Sequence, residues 1–134
     1  MNKVNLLKMV DHLRTISPEN FDMQNFRKDR SNSSDLTTCN TVACVIGHCT
    51  VLDTKENLSK FYFECPVNMF DYRKWIMSFI DIESYLDYGW LFSGIWTYND
   101  NTIEGAIKRI LNFIDNNGMT DEDRNIYNNL TMVM

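Results

Sequence analysis

Apolar residues recur at helical spacing in several parts of the chain. The segments concerned are residues 3–16, 68–80 and 101–114, and shorter helices are expected in 81–94 and, more weakly, around 124–130. In the first, the period of about 3.6 residues predicts an amphipathic helix whose apolar stripe consists of Val4, Leu7, Val10 and Leu13. Residues 101–114 have the clearest helix boundaries. Asn101 and Glu104 resemble a capping box at its start, and the "DNNG" that follows is a typical helix stop.

Residues 40–52 are apolar nearly all round, which predicts a central, buried helix. Thr37, Thr38 or Cys39 would cap its N-terminus, because their side chains precede the first open N–H groups. The polar run "RKDRSNSSDLTT" before it lacks periodicity and predicts an exposed loop. The short aromatic segment 60–66 ends at Pro66 and favours a strand or irregular structure.

Together these patterns predict a mainly α fold. We expect a single domain spanning residues 1–134, with about five to six helices around the buried cysteine-rich helix and at most a small β element near 60–66. A chain of 134 residues is long enough to bury one core without disulfides or metal.

Charge and hydropathy exclude some classes of partner. The formal net charge of −5 argues against a duplex nucleic-acid binder, which needs a basic footprint to neutralise phosphates. No run of about 18 apolar residues is present, so we expect no membrane span and no membrane partner. Without a signal-peptide pattern at the start, we expect a cytoplasmic protein with reduced cysteines.

The stretch "TTCNTVACVIGHC", residues 37–49, holds three cysteines and a histidine. Cys39, Cys44 and Cys49 are five residues apart, and on a helix neighbours would differ by about 140°, so they cannot share one metal ion. Cys44 and His48 do share a face, which is half a zinc site. We predict core thiols and no metal or cofactor.

A sharper interpretation of this stretch stays open. Cys39 before a helix would have a lowered thiol pKa, as a catalytic nucleophile requires. However, His48 lies about two turns further along, too far to act as its base. We expect His48 itself to be a buried imidazole bonded to a backbone carbonyl or a carboxylate.

Aromatic residues are concentrated in a second stretch, residues 88–102, "YGWLFSGIWTYNDNT". Their simplest role is to close the core where two helices end. The functional alternative is a pocket wall, in which aromatic faces stack on a planar ring and the N–H groups at Thr102 hold an anion.

Four motifs in the same order resemble a family of small, largely uncharacterised proteins of tailed bacteriophages and prophages. They are Phe21-Asp22-Met23, "CNTVACVIGH", "WLFSGIW" and "NTIEGAIKRI", within residues 5–118. The second matches C-G-T-x-A-C-[IV]-x-G-[HW] except that Asn40 replaces the usual glycine. The resemblance implies a viral origin, a host-cell cytoplasmic location and an α-rich fold, and it implies no settled activity.

We therefore expect a phage accessory protein that acts by binding and not as an enzyme, and that sequesters a small anionic or nucleotide-like signal of host defence. The alternatives are a protein-binding inhibitor of a host enzyme and a thiol-dependent enzyme using Cys39 or Cys44. The sequence does not determine the oligomeric state. The predicted ligand-binding residues are Thr37, Thr38, Cys39, Asn40, Thr41, His48, Trp90, Phe92, Ser93, Trp96, Thr102 and Arg109, the last as an anion partner.

Overall fold

Helices form most of the computed structural model, which describes residues 1–23, 28–29, 41–42, 44–60 and 72–132. The α-helices are α1 (Lys3–Leu13), α2 (Val45–Cys49), α3 (Lys55–Ser59), α4 (Tyr72–Phe79), α5 (Tyr85–Phe92), α6 (Trp96–Asn99), α7 (Ile103–Asp115) and α8 (Asp121–Met132). Single 3-10 turns occur at Pro18–Asn20 and Thr50–Leu52. The predicted mainly α fold is confirmed.

In the described part of the chain, a small β element accompanies the helices. Strands β1 (Lys28–Asp29) and β2 (Thr41–Val42) pair antiparallel, with Lys28 opposite Val42 and Asp29 opposite Thr41. It lies well before the position predicted from the aromatic segment. Apart from Lys60, that segment, 60–66, falls outside the described residues.

Helix α1 confirms the first predicted helix but buries a different face. Asn2 caps it by accepting a hydrogen bond from the Asn5 N–H at 3.0 Å. Val4 is 64% and Leu7 46% exposed, so the predicted stripe is wrong at those two positions. Leu6, Met9, Val10 and Leu13 are buried instead, because the flanking Leu6 and the polarisable Met9 complete the face that meets α2 and α7.

The cysteine-rich helix is shorter than predicted. Residues 41–42 form strand β2, and the helix begins at Val45 after the N-cap residue Cys44. The β-branched pair Thr41–Val42 favours an extended backbone, and helical periodicity cannot detect that preference within an all-apolar run. Its central position is confirmed, since every residue from 44 to 50 is buried and α2 packs against α1.

Two helix boundaries in the second half were also predicted wrongly. Asp81, expected near the start of a helix, has a φ of 56° in the turn after α4, and Ser84 caps α5 instead. The loop predicted for "IWTYNDN" contains the short helix α6.

The start of α7 differs from the predicted capping box. Thr102 is the N-cap and its hydroxyl accepts from the Gly105 N–H at 3.0 Å. Asn101 accepts from the Met23 N–H at 2.7 Å and donates to Asp22 at 3.0 Å. Asn101 therefore ties the segment after the first 3-10 turn to the beginning of α7.

The core is one cluster of buried side chains shared by these helices. Helix α1 packs against α2 and α7, and α7 also packs against α5. Trp75 of α4 is fully buried, and its indole N–H donates to Asp53 at 2.8 Å, which connects α4 to the segment before α3. In the described part of the chain, no helix combines the length and hydrophobicity needed to cross a bilayer.

Helix α8 is attached through a close contact at Gly89. A Cβ at position 89 would overlap the phenol of Tyr127, and no residue of α8 is fully buried. We predict that Gly89→Ala displaces Tyr127 and accelerates amide hydrogen exchange in residues 121–132, because α8 has few other apolar contacts to hold it.

The matched control is Gly94→Ala. An added methyl there meets only the Met23 carbonyl oxygen, at 4.0 Å. Equal exchange rates in α8 for both variants would show that Tyr127 does not hold the helix.

Candidate functional site

The predicted site is only partly within the described residues. Residues 37–40, comprising Thr37, Thr38, Cys39 and Asn40, lie outside them, and Thr41 is described only as part of strand β2. The site was expected between these residues and the aromatic segment, and the structure therefore describes only the side formed by the aromatic segment. Seven of the predicted residues remain to be located: His48, Trp90, Phe92, Ser93, Trp96, Thr102 and Arg109.

Arg109, Trp96 and Trp90 come together around one buried charge. The guanidinium carbon of Arg109 lies 4.0 Å from the centroid of the Trp96 ring, which is cation–π geometry. Trp90 meets Trp96 edge-on, with ring centroids 5.3 Å apart, and its backbone carbonyl accepts from the Trp96 indole N–H at 2.8 Å. Only 6% of Arg109 is exposed. This cluster, Arg109, Trp96 and Trp90, joins α5, α6 and α7.

The charge of Arg109 is only partly compensated. Its Nη1 donates to Asp100 Oδ2 at 3.4 Å, a long contact for an ion pair. Burial lowers the pKa of Arg109 to about 10, and the Asp100 carboxylate opposes the shift. The guanidinium therefore stays protonated at neutral pH.

Unpartnered polar atoms are concentrated at this cluster. Among the described residues, the buried side-chain nitrogens and oxygens without a hydrogen-bond partner are Arg109 Nε, Arg109 Nη2, Trp90 Nε1 and Thr97 Oγ1. Thr97 follows Trp96 directly, and three of these four atoms are nitrogens that only donate. A buried donor without an acceptor costs about 1–3 kcal/mol, and more if charged, so the cluster has unused capacity for an acceptor-rich group.

Asp100 lies across the first turn of α7. Its Oδ1 accepts from the Thr102 hydroxyl at 2.6 Å, and its carboxylate occupies the space that a Cβ at Gly105 would fill. The anion expected at Thr102 is thus present as a side chain of the protein itself. Asp100 remains 40% exposed, so the carboxylate borders solvent on its outer side.

Phe92 and Ser93 have structural roles in the described part of the chain. Phe92 is buried and its ring contacts Tyr88 at 5.8 Å between centroids. The Ser93 hydroxyl accepts from the Ile95 N–H at 3.2 Å and so supports the turn into α6. Since Trp90, Phe92 and Trp96 are all buried, they close the core, and they present no open face for stacking on a planar ring.

His48 belongs to a separate cluster with Phe21 and His12. One ring nitrogen, Nε2, is 2.6 Å from the carbonyl oxygen of Asn20, and the imidazole stacks on Phe21 at 6.4 Å. This confirms the prediction of a buried imidazole bonded to a backbone carbonyl. His12 in turn hydrogen bonds to the backbone of His48.

The described thiols are poor nucleophiles. Cys44 and Cys49 are free and buried, and burial raises the pKa of both. A catalytic thiol needs a depressed pKa, so the geometry argues against Cys44 in that role. Cys39 lies outside the described residues. Within the residues that are described, no group of three or more potential metal ligands occurs.

A groove of about 610 Å³ lies elsewhere, between the end of α1 and the outer face of α7. Leu13, Ile16, Ile103, Ile107 and Leu111 supply apolar walls, and Arg14, Glu104, Lys108 and Asp115 add charges of both signs. No predicted site residue lines it. The groove and the Arg109 cluster are thus different features of the same helix.

Sequence reasoning missed Asp100 and Gly105, which lie next to Arg109 in the candidate site. Asp100 falls in a segment typical of turns, and a turn aspartate is ordinarily solvated. The sequence did contain a signal for them. Asp100, Gly105 and Arg109 are spaced around the start of a helix, which brings together a carboxylate, a helix turn without a side chain and a cation.

Comparisons with known proteins add no identification. No protein-family model, curated protein or solved structure matches the chain. The resemblance to phage proteins therefore remains a prediction from the sequence motifs.

Because His48 is buried and His12 is half-buried, we expect the stability of the protein to depend on pH. Burial lowers the pKa of His48 and of His12 from the ordinary 6.5. As pH falls below about 6.5 the unfolded chain takes up these protons first, so the free energy of unfolding decreases until the folded-state pKa values are passed.

We predict a lower urea midpoint at pH 5.5 than at pH 7.5, with a smaller difference in His48→Gln. The glutamine amide can still donate to the Asn20 carbonyl but does not titrate. An unchanged pH difference in His48→Gln would assign the effect to other groups.

Proposed function

We propose that the protein acts by binding a small anionic ligand, with Arg109 as the anion partner. The observation that carries the proposal is the pair of unpartnered guanidinium nitrogens, Nε and Nη2, on a side chain that is 6% exposed. A buried cation with free donors is costly to maintain. A ligand with several acceptor oxygens would satisfy those donors and recover part of that cost.

The surrounding groups favour the same chemistry. Trp90 Nε1, on the ring that packs edge-on against Trp96, is a further unpartnered donor, and the positive end of the α7 dipole lies at the first turn, where the Asp100 carboxylate is. Asp100 is the opposing feature, because it already occupies one donor of Arg109. The chain's net charge of −5 is no obstacle, since a local set of donors suffices for one anion.

For the ligand class we propose a phosphate-bearing, nucleotide-like signal of host defence, sequestered by a phage accessory protein in the host cytoplasm. The phage and nucleotide elements rest on the motif resemblance. They do not rest on a stacking platform, because the tryptophans and Phe92 are buried. Phosphate oxygens are nevertheless well suited to the fork of donors that arginine presents.

The first test is retention of the ligand during purification. We predict that mass spectrometry of small molecules released by denaturation finds an anionic compound with the wild-type protein from infected cells. Arg109→Gln should lose it, because the amide removes the charge and most of the donors. Lys108→Gln is the matched control, an exposed cation one position earlier on α7.

Circular dichroism must show that Arg109→Gln is folded. Equal retention by Arg109→Gln and the wild type would exclude Arg109 as the anion partner. A stoichiometric host protein in place of a small molecule would favour the alternative of a protein-binding inhibitor.

A second test separates binding from thiol catalysis. We predict that Cys39→Ser retains the ligand as the wild type does and that the mass of the ligand is unchanged after prolonged incubation with either protein. The reason is that the proposed binding depends on the donors of Arg109 and requires no thiol. Conversion of the ligand by the wild type, abolished in Cys39→Ser, would establish the thiol-dependent enzyme instead.

A further inference from the structure

Asp100 occupies the position that an anionic ligand would need. Its two carboxylate oxygens are bound by separate groups, Oδ1 by the Thr102 hydroxyl at 2.6 Å and Oδ2 by Arg109 Nη1 at 3.4 Å. The carboxylate also lies over the bare backbone of Gly105. A hydroxyl, a guanidinium and the first turn of a 13-residue helix therefore surround one acidic group.

The fit of the carboxylate to this position is incomplete. The 3.4 Å contact is long for a charge-assisted hydrogen bond, which is usually about 2.7–2.9 Å. Nε and Nη2 of Arg109 have no acceptor, although the side chain is more than nine-tenths buried. A carboxylate has two oxygens, whereas a phosphoryl group has at least three. A phosphoryl group at this place could accept from the Thr102 hydroxyl and from two nitrogens of Arg109 together.

The position is also accessible. Asp100 is 40% exposed, while Arg109 behind it is almost completely covered. Asp100 ends the short helix α6, and its backbone there adopts φ −168° and ψ 77°, outside the helical region. A change in the side-chain torsion of Asp100 would move the carboxylate toward solvent and vacate a space of carboxylate size without opening the core.

We propose that Asp100 is a built-in competitor that holds the anion site at Thr102, Gly105 and Arg109, and that a phosphoryl group binds by displacing it. The inference rests on the proposed anion binding at Arg109 and adds to it the subsite, the ligand group and the residue that limits affinity. Asp100 thus keeps Arg109 paired when no ligand is present, and its displacement selects ligands with more acceptor oxygens than a carboxylate has.

The test is titration of inorganic phosphate into purified full-length variants, followed by calorimetry and by thermal shift in an oxyanion-free buffer. We expect Asp100→Asn to bind phosphate about tenfold more tightly than the wild type, the factor that one displaced charged contact is worth. Its melting temperature should be lower than that of the wild type without phosphate and should rise more when phosphate is added, because only the ligand then pairs with Arg109.

Glu104→Gln is the matched control for charge alone. Glu104 is an exposed carboxylate in the same first turn of α7. An equal gain in phosphate affinity for Glu104→Gln and Asp100→Asn would overturn the proposal, because removal of any nearby negative charge would then explain the result. No gain in Asp100→Asn would overturn it as well.

Gly105→Ala is expected to change phosphate affinity in the opposite direction, and this test does not depend on whether Asp100→Asn folds. Its methyl group would fill the space of the carboxylate, and therefore of the phosphoryl group, so phosphate binding should fall below that of the wild type. Wild-type or higher affinity in Gly105→Ala would contradict the subsite. Loss of the copurifying ligand in Arg109→Gln, combined with no gain in Asp100→Asn, would leave the proposed function standing and refute only the displacement of Asp100.

Discussion

A buried, incompletely paired guanidinium is the constraint on which one end of this structure depends. Arg109 lies against the face of Trp96 and reaches Asp100, while Trp90 packs edge-on against Trp96. Transfer of an arginine charge out of water costs several kcal/mol even after relaxation. A desolvated cation–π contact returns about 2 kcal/mol, and a carboxylate partner returns part of the rest. Contacts around this one charge therefore link α5, α6 and α7.

The pairing of polar groups also distinguishes the two clusters, one around α2 and one around Arg109, that the sequence suggested as a single site. Around α2, His48 has the Asn20 carbonyl as its partner, and the described thiols are buried with raised pKa values. Around Arg109, donors remain without acceptors. A site for a ligand is more plausible where polar groups lack partners than where they have them. This contrast directs the functional proposal to the start of α7 and away from the cysteines.

The aromatic residues illustrate how composition can suggest binding while the fold uses the side chains for packing. Trp90, Phe92 and Trp96 are buried, and their edges and faces contact each other, Tyr88 and Arg109. Of the three, Trp96 covers one face of the guanidinium of Arg109, which is almost completely buried, and a buried cation attracts an anion more strongly than one in water. The role of Trp96 in the proposed site is thus support of the cation, which differs from the stacking surface that the sequence suggested.

The sequence by itself determined the mainly α fold, the long helix α7 and the burial of the segment around Cys44, because apolar periodicity and all-apolar runs are local properties of the chain. It also named Trp90, Trp96, Thr102 and Arg109 as candidates, and that these residues bind a ligand stays a prediction. Only the tertiary structure decided which face of α1 is buried, where the cysteine-rich helix begins and that Asp100 meets Arg109. Those outcomes depend on contacts between segments distant in sequence or on local β preference inside an apolar run, and neither has a periodic signature. Asp100 and Arg109 are nine residues apart. They pair because the turn between α6 and α7 brings Asp100, which the sequence placed in a solvated turn, back over Gly105.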